Sequence, residues 1–215
     1  MISATSFIER KAMVMRLPCL ALLLWCAGAV DVAAQDTPFT FGETAGCFSC
    51  HAVDPASLAA PRYPPPKIAG QRADYLASAI RDYREGRRSH YLMNSPASEF
   101  AEDEIEPLTA YIAGITADQL PHRVKPEPDP AAVARGEQLA AASCVRCHPR
   151  NGGGGRSGTP SLNGQYAAYL LVTLQDYRLG VRHNPAMLKV TSALSDDEMA
   201  DLAAFYASLT GLYPY

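Results

Sequence analysis

The chain has 215 residues, 48% of them hydrophobic, enough to bury a core and compatible with one or two domains. Lysine and arginine number 19 against 22 aspartates and glutamates, a formal net charge of −3. That balance argues against a nucleic-acid partner and for ordinary solubility.

At the amino terminus, Arg10, Lys11 and Arg16 precede an apolar run from Leu17 to Val30 and the small-residue segment Val32-Ala33-Ala34. This order reads as a secretory signal peptide over residues 1–34, cleaved after Ala34. The run is about 14 residues, short of the roughly 20 that span a bilayer as a helix. No later stretch is apolar enough to span, so the mature chain is expected to have no transmembrane segment. Cleavage removes Cys19 and Cys26 and leaves Cys47, Cys50, Cys144 and Cys147. Four cysteines in an exported chain ordinarily point to disulfides.

The residues around them point elsewhere. Cys47 to His51 reads CFSCH and Cys144 to His148 reads CVRCH. Two thiols three residues apart followed at once by histidine is the attachment pattern of c-type haem: the thiols bond the vinyl groups and the imidazole ligates iron. A zinc site needs four converging ligands, and neither motif has a second cysteine pair beside it. A thioredoxin-type redox pair needs a βαβ setting, and no run shows period-two alternation. The segment before Cys47, with Pro38 and Gly42, supports little helix. After it, Tyr75, Leu76, Ala79, Ile80 and Tyr83 fall on one helical face, with Arg81, Arg84 and Arg88 elsewhere on the surface.

A single offset organises the rest. A shift of 94 residues superposes Gly70-Gln71 on Gly164-Gln165, Tyr75-Leu76 on Tyr169-Leu170, Asp82-Tyr83-Arg84 on Asp176-Tyr177-Arg178, and Met93 on Met187. It continues through Glu104 and Glu198, Leu108 and Leu202. The chain is a tandem duplication of two helical halves, 35–120 and 131–215, and the fold class is all-α. Between them, residues 121–130 carry four prolines and read as an extended linker. Asp129-Pro130 starts a helix that leads into the second motif. Ser195 to Glu198 forms a capping box for the last helix, and Ala101 at the matching position loses that cap in the first half. The first half is the more acidic.

With His51 and His148 as proximal ligands, the sixth iron position decides the chemistry. Met93 and Met187 match each other and sit in loops beyond the helix rather than on its buried stripe. Met199 aligns with Ile105 on an apolar face and reads as core. The rival ligands His90 and His183 fall opposite Asn184 and Ser89, and a duplicated site should not use unmatched residues. Thioether ligation favours the ferrous state. Pro66 and Pro160 match at the same offset, and their carbonyls are candidate acceptors for the other imidazole nitrogen. The glycine run 152–155 lacks the Lys-Ser or Lys-Thr of a phosphate loop.

These residues resemble the two-haem class I cytochromes c, above all the cytochrome c4 family: exported, duplicated, with CxxCH, a Pro-x-[Ile/Leu]-x-Gly-Gln stretch, a Tyr-Leu helix, a methionine and a closing helix in each half. The resemblance implies two tandem cytochrome c domains carrying two covalently bound haem c. It implies attachment through Cys47, Cys50, Cys144 and Cys147, with His51, Met93, His148 and Met187 as axial ligands. It implies a periplasmic single-electron carrier without substrate chemistry of its own, working between a membrane quinol-oxidising complex or periplasmic dehydrogenase and a terminal oxidase or reductase. The alternatives are a haem subunit bound to a flavoprotein such as a sulfide dehydrogenase, and a two-haem peroxidase. The first half departs from the pattern between His51 and Pro66, where prolines and bulky residues replace the usual glycine-rich loop.

Overall fold

A computed structural model describes residues 39–52, 64–120, 127–149 and 155–213. The expected signal peptide, residues 121–126 of the expected linker and most of the glycine run lie outside them. The described residues belong to one compact unit, Thr37–Tyr215.

Among the described residues every regular element is helical: α1 (Phe41–His51), α2 (Ala73–Arg84), α3 (Asn94–Glu99), α4 (Glu102–Gly114), a 3-10 turn at Ala117–Gln119, α5 (Pro130–Ser143), α6 (Ala167–Arg178), α7 (Pro185–Thr191) and α8 (Asp196–Ser208). The 94-residue offset carries α2 onto α6 and α4 onto α8, bound for bound. Two hydrophobic cores result. Phe48, Leu76, Leu108, Ile112 and Ile115 build the first, with Ile80 and Tyr111 packed against it. Ala140, Leu170, Leu202, Phe205 and Tyr206 build the second, with Leu174 and Leu162 around them. Ile105 and Met199, the pair read as core, are both fully buried.

Local chemistry explains the boundaries. α1 is longer than Pro38 and Gly42 led us to expect because Thr40 caps it. Its hydroxyl accepts from the Glu43 N–H at 3.3 Å, and the Glu43 carboxylate accepts from the Thr40 N–H at 2.5 Å. Two orphan donors of the first turn are thereby satisfied. α8 has the same box in Ser195 and Glu198, at 3.2 and 2.8 Å. α4 keeps half of it: Glu104 still accepts from the Ala101 N–H at 2.8 Å, but alanine offers no hydroxyl. α2 and α6 stop at Gly86 and Gly180, which take φ of +75° and +72°. That left-handed turn is cheap only for glycine, and it sends the chain back across its own helix.

α5 crosses α8 closely enough to require glycine. A Cβ on Gly136 would stand 2.0 Å from the Asp201 carbonyl oxygen and 2.8 Å from the Phe205 Cβ. Arg135, one residue earlier, meets the Asp201 carboxylate with two hydrogen bonds at 2.7 and 2.8 Å. In the first half, Arg81 and Arg84 both reach Glu102, tying α2 to α4. Arg178 and Asp196 do the same for α6 and α8.

Candidate functional site: paired imidazoles, thiols and a shared seam

The two pentapeptides sit on different local frames. CFSCH forms the last five residues of α1. CVRCH follows α5 as a succession of turns, with the His148 and Cys147 N–H groups both donating to the Cys144 carbonyl, at 2.9 and 3.1 Å. In each case the histidine is drawn inward to 9% exposure. His51 Nδ1 donates to the Pro66 carbonyl at 2.7 Å, and His148 Nδ1 donates to the Pro160 carbonyl at 3.0 Å. A proton fixed on Nδ1 leaves Nε2 with its lone pair, the form a metal-ligating imidazole needs. Burial pushes both imidazoles below their ordinary pKa, against the opposing pull of the proline carbonyls. Both are neutral at neutral pH.

The four cysteines form no disulfide. Burial raises the thiols of Cys47 and Cys144, the latter against a hydrogen bond with Tyr206. Among the described residues no group of three or more histidines, cysteines and carboxylates could hold a metal ion.

Of the two methionines expected in loops, Met93 sits in the turn that opens α3, whereas Met187 lies inside a helix. Met93 is the cap residue of α3 and Met187 is the third residue of α7. The two short helices start at different points because their caps differ. Asn184 accepts from the N–H groups of Ala186 and Met187, and Pro185 opens the helix. In the first half Asn94 instead reaches back to the His90 N–H at 2.7 Å, and so closes the turn that holds Met93. Both methionines are half-buried and belong to neither core cluster. His183 is exposed. His90 is half-buried and stacked on Tyr91, with ring centroids 5.3 Å apart.

Arg88 is not a surface residue. Its guanidinium lies over Tyr75 and Tyr83, at 5.6 and 5.4 Å from the ring centroids. Arg182 lies over Tyr169 and Tyr177 at 5.8 and 5.5 Å. The phenols of Tyr75 and Tyr169 accept from these arginines, and Arg182 and Tyr169 of the second half both act on the Tyr75 phenol of the first. Burial pushes the Tyr75 phenol up, but Arg88 and Arg182 outweigh it and bring it down to about 8. Among the described residues neither guanidinium has a carboxylate ion-pair partner. Two partly desolvated cations facing phenols make a ready anion site. The signal was in the sequence, since Arg88 and Arg182 match at the same offset of 94.

A second set of contacts crosses the same seam. Gln71 and Gln165, noticed only as repeat markers, are buried and grip the backbone of the opposite half. Asp74 accepts from the Ser157 hydroxyl and the Gly158 N–H at 3.1 and 2.9 Å. Lys67 is 1% exposed. Its ammonium donates to the Gly164 carbonyl and lies 4.6 Å from the Tyr166 ring centroid. Its counterpart at the offset is Ser161, so no repeat pattern could have found it.

Imidazoles with a free Nε2, thiols spaced on their frames, thioethers and an arginine-lined seam suit an iron porphyrin with acidic side arms, and together they define a c-type cytochrome. The comparisons agree. A family model described as cytochrome c matches residues 133–210. Cytochrome c4 of Stutzerimonas stutzeri is 30% identical over 199 residues, covering 82% of this chain and 90% of that one. A thiosulfate dehydrogenase electron acceptor of Thiomonas intermedia (strain K12) is 30% identical over 184 residues, covering 81% and 80%. The crystal structure of reduced recombinant cytochrome c4 from Pseudomonas stutzeri superposes with a TM-score of 0.67 at 30% identity, over 82% of this chain and all of that one. The chain belongs to the cytochrome c4 family. Its cofactors are two covalently bound haem c groups, and its general role is to carry electrons.

Proposed function

We propose that Cys47 and Cys50 attach one haem and Cys144 and Cys147 the other, with His51 and Met93 as axial ligands in the first half and His148 and Met187 in the second. The halves run over 35–120 and 131–215. The observation that carries this reading is the twofold repetition of one arrangement: an imidazole held through Nδ1 by a proline carbonyl, and a half-buried methionine at the start of the short helix beyond α2 or α6. Haem supplies a one-electron ferric–ferrous couple. The chain's residues do the rest. The proline carbonyls orient the imidazoles and raise their basicity. The methionine sulfurs would favour the ferrous state of the iron. Arg88 and Arg182 would supply positive charge for the propionates. With His51 and Met93 holding one iron and His148 and Met187 the other, neither haem would keep a position open to substrate, which supports a carrier rather than an enzyme.

The carrier works in the periplasm after export through residues 1–34. Among the described residues no helix is long and apolar enough to cross a membrane. Its partners are redox proteins. Relatives described as thiosulfate dehydrogenase electron acceptors favour a thiosulfate-oxidising dehydrogenase as one donor, beside the quinol-oxidising complexes expected from the sequence. Met93→Ala and Met187→Ala test the ligand set: each should abolish half of the weak far-red methionine-to-iron band. Loss of the whole band in either variant, or of none, overturns it. Stopped-flow reduction by a purified thiosulfate dehydrogenase tests the donor; no reduction with thiosulfate present rejects it.

A further inference from the structure

Two peptide units next to the haem histidines are engaged at both ends. The Pro66 carbonyl accepts from His51 Nδ1, and the N–H of the same peptide, that of Lys67, donates to Gln165 Oε1 at 2.9 Å. Gln165 Nε2 then donates to the Lys67 carbonyl at 3.0 Å. The mirror arrangement is complete. The Pro160 carbonyl accepts from His148 Nδ1, the Ser161 N–H donates to Gln71 Oε1 at 2.8 Å, and Gln71 Nε2 donates to the Ser161 carbonyl at 3.0 Å. Gln71 and Gln165, like residues 67 and 161, are related by the 94-residue offset, so the contact is self-complementary in the way of a twofold dimer interface. Both glutamines are 3% exposed.

Hydrogen bonds in series polarise one another, by roughly 10–30% per bond, and more effectively where water is excluded. A glutamine oxygen drawing on the Lys67 N–H makes the Pro66 carbonyl a stronger acceptor. A stronger acceptor pulls the Nδ1 proton of His51 and enriches Nε2, which stabilises ferric iron. The glutamine responsible belongs to the other half of the molecule.

We propose that Gln165 is a positioning residue for His51 and Gln71 for His148, so that each half sets the reduction potential of the haem in the other. This rests on the reading of His51 and His148 as proximal ligands. The chain His51–Pro66–Lys67–Gln165 and its mirror image are two crossed wires of hydrogen bonds. The seam therefore tunes the two haems as well as holding the halves together.

The test uses the intact two-haem protein with Gln165→Leu and, separately, Gln71→Leu. The two midpoint potentials are assigned to their halves by Met93→His and Met187→His, each of which lowers one of them. Gln165→Leu should raise the potential of the haem at Cys47 and Cys50 by three- to tenfold in its one-electron equilibrium constant, about 28–59 mV. It should move the His51 Nδ1–H proton resonance of the ferrous protein upfield and leave the other haem nearly unchanged. Gln71→Leu should do the converse. A shift confined to the substituted half, or equal shifts of both haems, overturns the proposal. Gln165→Glu and Gln71→Glu keep an acceptor oxygen and the side-chain length, and should return the crossed potential to wild type or below. If they raise it as leucine does, packing is the cause and the proposal is wrong. The glutamate pair also decides the matter if a leucine variant does not fold. Failure of the ligand reading would show earlier, as the absence of a histidine Nδ1–H resonance for either haem in the wild-type protein.

Discussion

Gly136→Ala isolates the helix crossing that positions the second haem motif. The added methyl would meet the Asp201 carbonyl oxygen at 2.0 Å, its carbon at 2.6 Å and the Phe205 Cβ at 2.8 Å, far inside the 3.4 Å at which ordinary contact begins. The neighbour is helix backbone, which cannot rotate aside, so α5 and α8 must separate. Overpacking of this kind costs about 1–3 kcal/mol, and a clash with a main-chain carbonyl belongs at the upper end. Alanine recovers roughly 0.5–1 kcal/mol of helix preference. The net loss is about 2 kcal/mol, which for a half of this size lowers the melting temperature by about 8–16 °C. Because α5 leads directly into Cys144 and His148, the melt should be followed at the far-red band of each haem. The second haem should lose its methionine ligand at the lower temperature and the first should hold. A melting temperature within about 2 °C of wild type, or a loss seen first in the haem at Cys47 and Cys50, would refute the packing argument.

Three further outcomes follow from the same structure. Ala101→Ser should complete the capping box that Glu104 already half makes, and stabilise the first half by about 0.5–1 kcal/mol in urea titration; Ser195→Ala should cost the second half about 1 kcal/mol. Asp74 is held below the ordinary carboxylate range by Arg72, against a smaller opposing effect of burial and with help from the Gly158 N–H and Ser157 hydroxyl. Its contribution is therefore complete above the ordinary carboxylate pKa and lost as pH falls through the depressed one. In Asp74→Asn the acid-side slope of stability should flatten, by at most about 1 kcal/mol because the pair is partly exposed, and an unchanged slope counts against the contact. Arg88→Gln and Arg182→Gln should each lower both haem potentials if the arginine seam faces the propionates. A change confined to stability, with the potentials unmoved, would place the propionates elsewhere.

The haem motifs, the helical register and the two cores were readable because they are carried by spacing. Tyr75-Leu76 and Tyr169-Leu170 announce α2 and α6, and the pairing of Ile105 with Met199 correctly placed a methionine in a core. The proline carbonyls were also readable, since a metal-ligating imidazole needs an acceptor and Pro66 and Pro160 match in the repeat. What escaped depends on contacts that spacing does not encode. The extent of α1 turned on the Thr40–Glu43 box, which outweighs Pro38 and Gly42 nearby. Arg88 looked like one of several surface arginines, yet the glycine turn at Gly86 folds it back over two tyrosines. Met187 reads as a loop residue from sequence because a seven-residue helix leaves too short a pattern to register, whereas Met93 does sit in the turn before α3. Gln71 and Gln165 marked the repeat without revealing that each serves the opposite half. Lys67 has only a serine, Ser161, as its counterpart, and nothing but the packed interface shows that it is buried.

The central claim is that one chain holds two separately ligated haems of the same kind. Mass analysis of the purified mature protein together with a spectrally monitored redox titration tests it most directly. The account predicts the mass of two covalent haems and two one-electron waves, each accompanied by loss of half of the far-red methionine-to-iron band on reduction. A single haem, or a second wave with high-spin or bis-histidine spectral character, would contradict it.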